Sequence, residues 1–169
     1  MRKPFVALLF ICLRLSAQEK LETTNRFAID GKVKSSIEIT LQDLQSMPSE
    51  HIDSFVVKNH MMQKKYTMVN IEGVRLKNIL MKAALNTEDP KQFSQYYFVL
   101  IASDNYKVVY SWNELFNSPT GDHVFIVKAV DGKNASGQND AIASICTSDQ
   151  ATGRRYVKAV KEILVERVN

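Results

Sequence analysis

Tyr96-Tyr97-Phe98-Val99-Leu100-Ile101-Ala102-Ser103-Asp104-Asn105-Tyr106-Lys107-Val108-Val109-Tyr110 reads as two β-strands joined by a tight connection. Aromatic and β-branched side chains crowd both arms, and such residues suit a pleated, half-buried surface. Ser103-Asp104-Asn105 supplies a three-residue hairpin turn in which Asn105 tolerates the positive φ that most residues resist. An antiparallel pair at the centre of the chain follows. Residues 52–58 and 65–71 are extended runs around a polar connection at 59–64, which suggests a second antiparallel pair. Phe27-Ala28-Ile29 runs into the turn signal Asp30-Gly31, residues 36–40 read as the next strand, and 123–130, 140–147 and 160–168 are further strand candidates.

The helices are short. Thr40 can cap a helix over 41–47, with Asp43 placed to favour its first-turn amides and Pro48 ending it. Ser111 caps another over 112–116. Val74, Leu76, Ile79, Leu80, Ala83 and Ala84 fall at helical spacing, with Arg75, Lys77, Asn78 and Lys82 on the other face, which predicts an amphipathic helix packed on a sheet. Strands outnumber helices and no regular βαβ alternation occurs, so the fold class is α+β, with mostly antiparallel sheets and a few short helices.

The N-terminus reads as an export signal over 1–17, with Arg2-Lys3 as its cationic start, an apolar run over 5–13 too short to span a bilayer, and Ala17 at the cut. A segment 18–26 and one domain over 27–169 follow, long enough to bury a single core. Without Arg2, Lys3 and Arg14 the chain holds 19 basic against 18 acidic residues, so the net charge of +4 belongs mostly to the leader. That near-neutral balance argues against a nucleic-acid partner held by a broad phosphate-neutralising surface. The expected setting is periplasmic or secreted, with no integral membrane segment after signal removal. Cys12 falls in the leader and leaves Cys146 as the one mature cysteine, in an alternating Ala141-Ile142-Ala143-Ser144-Ile145 context that favours burial.

Glu72-Gly73-Val74-Arg75-Leu76, Ala102-Ser103-Asp104-Asn105-Tyr106 with Leu115, and the late Gly153-Arg154-Arg155-Tyr156-Val157-Lys158 occur in an order that resembles the molybdopterin-binding domain of sulfite-oxidase-type oxidoreductases. Ile37-Glu38-Ile39-Thr40-Leu41-Gln42-Asp43-Leu44 opens the resemblance, which covers 27–168. It implies the sulfite-oxidase-type molybdopterin-binding fold. Catalytic members carry a cysteine thiolate on molybdenum at the end of the strand before the Gly73 block, where this chain reads Phe55-Val56-Val57-Lys58-Asn59-His60-Met61-Met62. A thiolate is a soft ligand that lysine, asparagine or valine cannot replace.

The resemblance therefore implies an exported molybdopterin-oxidoreductase-like protein that has lost its metal ligand and serves as a cofactor-free binding or accessory module. Two alternatives stay open: a molybdopterin-binding oxidoreductase or component of a redox system, and a structural domain that binds a protein partner. The candidate pocket residues are Asn59, His60, Asn105, Arg154 and Arg155, with the pocket expected between 59–64 and 153–158. No metal ligands or catalytic residues are assigned. Guanidinium groups near a turn suit phosphate or carboxylate, so a ligand is expected to be a small anion. On an extended segment Arg154 and Tyr156 face one way and Arg155 and Val157 the other, so one arginine at most points into the pocket.

Overall fold

The computed structural model describes residues 21–134 and 142–168. The expected leader, with Cys12, lies outside the described residues. So does the start of the strand expected over 140–147.

Two five-stranded sheets carry the fold. The first orders β2 (Ile37–Thr40), β1 (Arg26–Gly31), β10 (Val160–Arg167), β5 (Tyr96–Ala102) and β6 (Lys107–Ser111) side by side. All its pairings are antiparallel except β1 with β10. The second runs β3 (Glu50–Lys58), β4 (Lys64–Arg75), β7 (Val124–Val130) and β8 (Lys133–Asn134), with β9 (Ala143–Cys146) also paired to β7. Both predicted hairpins form, β5 with β6 and β3 with β4, and Asn105 sits at φ +63° in its turn.

Local capping chemistry explains the helix starts. Thr40 accepts from the Asp43 N–H while the Asp43 carboxylate accepts from the Thr40 N–H, which closes a capping box at α1 (Leu41–Ser46). Ser111 and Glu114 do the same at α3 (Trp112–Phe116). The helix expected over 74–84 is shorter: α2 spans Leu76–Leu80. Val74 and Arg75 instead continue β4, because they pair with Ile126 and Phe125 of β7 and the sheet ladder takes their backbone groups. The apolar face expected of that helix is nevertheless buried at Leu76, Ile79, Leu80 and Ala83.

The main core collects Phe27 and Ile29 of β1, Phe98 and Leu100 of β5, Ile163 and Val165 of β10, Val124 and Ile126 of β7, and the buried face of α2. A second cluster joins Phe55, Val57, Ile71, Phe125, Val127, Ile145 and Tyr156. Alternation along β7 sends 124 and 126 to one cluster and 125 and 127 to the other, so this strand is buried on both faces. Val57 and Tyr156, at the margin of the second cluster, form the floor of the site below.

Candidate functional site

β3 ends at Lys58, and the chain turns back through Asn59. The Asn59 Oδ1 accepts from the N–H groups of Met61 (2.9 Å) and Gln63 (3.0 Å), and its Nδ2 donates to Gln63 Oε1 (3.0 Å). Asn59 is thus a turn organiser, as asparagine side chains commonly are. Met62 completes the turn at φ +64°. His60, Met61 and Met62 are all exposed there.

The facing wall is a 3-10 turn, Thr152–Arg154. The Lys58 N–H donates to Thr152 Oγ1 at 2.9 Å, and that hydroxyl donates in turn to the carbonyl of Val56. Gly153 lies so close to β3 that a Cβ there would sit 2.4 Å from the Lys58 carbonyl oxygen. Only glycine allows this approach. From the β5–β6 hairpin the Tyr106 hydroxyl donates to the Arg154 carbonyl at 2.6 Å, which brings three distant segments to one place.

The cleft between these walls has a volume of about 380 Å³. Its basic lining comprises Lys58, His60, Lys65, Arg154 and Lys158, and Tyr66, Tyr106 and Tyr156 supply its aromatic surface. The Lys158 ammonium lies between two rings, 6.0 Å from the Tyr66 centroid and 5.4 Å from that of Tyr156. Among the described residues Lys58, Lys65 and Arg154 enter no ion pair, and no carboxylate lines this space; Asp104 lines an adjoining hollow of about 270 Å³. Cations gathered side by side repel one another, and a bound anion relieves that repulsion.

Of the sequence-derived candidates, Asn59, His60 and Arg154 meet in this cleft, between the two segments expected to form it. Asn105 does not line it: its side chain accepts from Lys161 Nζ at 2.7 Å, while its neighbour Tyr106 lines the cleft and Asp104 the adjoining hollow. Arg155 points the other way, but not by the strand alternation expected: the chain turns as a 3-10 helix through Arg154, and Arg155 follows it outside any strand. Its guanidinium grips Asp149 with two bonds, one of them Nε to Oδ2 at 2.7 Å, pairs with Glu114 at 3.2 Å, and stacks on the Tyr110 ring at 4.8 Å. The bonds to Asp149 raise its pKa further above the usual arginine range. Arg155 is therefore a structural ion-pair residue. Lys58, Lys65, Tyr66 and Tyr106 line the site although the sequence did not mark them for it, whereas Tyr156 was expected on the Arg154 side. Continuing the 154/156 alternation one step reaches Lys158.

Cys146 is fully buried in the main core, with its thiol pushed up by burial and only partly offset by a contact to Ser148 Oγ at 3.4 Å. No thiolate lines the cleft, and among the described residues no three of His, Cys, Asp and Glu come together as a metal-binding group. The donor set present, ammonium, guanidinium, phenol and one imidazole, lacks the thiolate that a thiolate-ligated molybdenum needs.

No protein-family model matches the chain, and no curated protein matches it. Among solved structures it is similar to the sulfane dehydrogenase SoxCD from Paracoccus pantotrophus, with a TM-score of 0.62 and 15% identity. The fold is of the sulfite-oxidase type. The likeness covers 90% of this chain and 41% of that one, so this chain spans well under half of the protein it matches. At such identity the likeness carries a distant molybdopterin-oxidoreductase-like fold and no activity. Among the described residues no helix is long and apolar enough to cross a membrane.

Proposed function

We propose that this chain is an exported, cofactor-free binding module on a sulfite-oxidase-type fold, and that its cleft takes a small anion such as a phosphate ester. The observation that carries the reading is the convergence of Lys58, Lys65, Arg154 and Lys158 with His60 in a cleft that no carboxylate lines. The absence of a thiolate from the lining supports a role outside molybdenum chemistry. A guanidinium that has no carboxylate partner is well suited to an oxyanion. Tyr106 holds the Arg154 backbone in place for that task.

Thermal unfolding of the protein with inorganic phosphate, sulfate and small phosphate esters tests this at low salt. A ligand present at 100 times its Kd stabilises by about 2.7 kcal/mol, a rise in Tm of roughly 5–10 °C for a chain of this size. The rise should shrink with added salt and in Arg154→Ala. No shift with any anion, or an undiminished shift in an Arg154→Ala/Lys158→Ala double variant, rules the reading out. Stoichiometric molybdenum and pterin in the purified protein would do so independently.

A further inference from the structure

The geometry points to the β3–β4 hairpin tip as a docking device for an anionic lipid surface, with the headgroup phosphate as the anion of the cleft. This rests on the anion-binding reading of the cleft and goes beyond it by naming the source of the phosphate. Two observations carry it. Met61 and Met62, 62% and 46% exposed, stand together at the tip although water offers such side chains nothing. Around them the charge has one sign: Lys58, Lys64 and Lys65 fall within 54–71, a stretch without a single Asp or Glu.

An apolar point ringed by cations complements a negatively charged bilayer. Thioether chains enter the boundary between headgroups and acyl chains, while lysines reach the phosphates above it. Tyr66, 40% exposed and on the cleft lining, presents ring and hydroxyl together, the combination favoured at the level of the headgroups, and Tyr106, 44% exposed, adds ring surface while its hydroxyl stays on the Arg154 carbonyl. The same hairpin thus carries the apolar anchor and, one residue earlier at His60, the edge of the anion cleft. A freely diffusing phosphate would leave the two methionines without a role. A lipid gives both halves a partner at once.

The test separates these sources. The protein is sedimented with vesicles of phosphatidylcholine alone and of phosphatidylcholine mixed with phosphatidylglycerol, and its Tm is followed in parallel with inorganic phosphate. Binding is expected on the mixed vesicles only, weakening with salt. Lys64→Ala should weaken it about fivefold, the factor that corresponds to one juxtamembrane cation. Met61→Ser/Met62→Asn should weaken it about tenfold or more through lost apolar burial, and asparagine keeps the positive φ of position 62 tolerable. None of these three positions lines the cleft, so the phosphate-induced Tm rise should persist in both variants. A phosphate shift without vesicle binding overturns the lipid inference, leaves the cleft reading standing, and assigns the tip to a protein partner. Equal binding to both vesicle types, or mixed-vesicle binding undiminished by the methionine substitutions, also overturns it. Absence of both the phosphate shift and vesicle binding removes the cleft reading itself.

Discussion

Replacing Arg155 with alanine should damage stability, not ligand binding, and the size of the effect can be worked from its surroundings. The substitution strands Asp149, whose side chain is only 15% exposed, and removes one contact of Glu114, which keeps its capping bonds to Ser111. Removing one partner of a buried ion pair costs about 3–5 kcal/mol. Arg155 itself retains 24% exposure, so water reaches the stranded carboxylate and the loss falls to about 2–3 kcal/mol. The stacking of its guanidinium on Tyr110 adds about 1 kcal/mol. A total of about 3–4 kcal/mol corresponds to a Tm lower by roughly 10 °C for a chain of this length. Circular dichroism melts of the wild type, Arg155→Ala, Arg155→Lys and Arg154→Ala measure it. Lysine should recover only part of the loss, because it cannot reproduce the two-pronged grip on Asp149. Arg154→Ala should melt near the wild type. A Tm for Arg155→Ala within about 2 °C of the wild type would refute the reasoning.

Gly153→Ala should destabilise by about 1–3 kcal/mol, since its Cβ meets a backbone oxygen that cannot rotate away, and it should widen the cleft and weaken phosphate binding; a urea titration with and without phosphate reads both effects. Cys146 should react with a thiol reagent far more slowly in the native protein than in denaturant, because it is buried and its thiol is pushed up; equal rates would contradict its place in the core. Asp43, Asp30 and Asp122 are held below the ordinary carboxylate range, chiefly by hydrogen bonds from Thr40, Ser36 and Lys77 respectively. Because their folded pKa values lie below the unfolded ones, their contribution is present above about pH 4 and is lost as pH falls through the folded values. The urea midpoint should therefore hold from neutral to mildly acidic pH and then drop, with a shallower drop in Asp43→Asn.

Sequence alone determined what depends on a few neighbouring residues. Thr40 with Asp43 and Ser111 with Glu114 each hold the donor and acceptor that start a helix, and Asn105 holds the conformation its hairpin needs, so these were readable without a partner. The antiparallel α+β class and the meeting of the 59–64 and 153–158 regions were also expected from the residues and their family resemblance. Tertiary structure decided whatever depends on segments far apart. Val74 and Arg75 match a helical period, but β7 lies alongside and its ladder claims their backbone groups. Arg154 and Arg155 are adjacent and chemically identical; only the folded chain places Asp149, Glu114 and Tyr110 around one and an open cleft before the other. Lys58 and Lys65 are ordinary strand-end positions in the sequence; the Thr152–Arg154 turn packs against Lys58, an approach possible because position 153 has no side chain, and both lysines line the cleft that results. Local hydrogen bonding is encoded within a few residues, whereas charge pairing and cavity shape are properties of packed surfaces, and no single segment contains both sides of a contact.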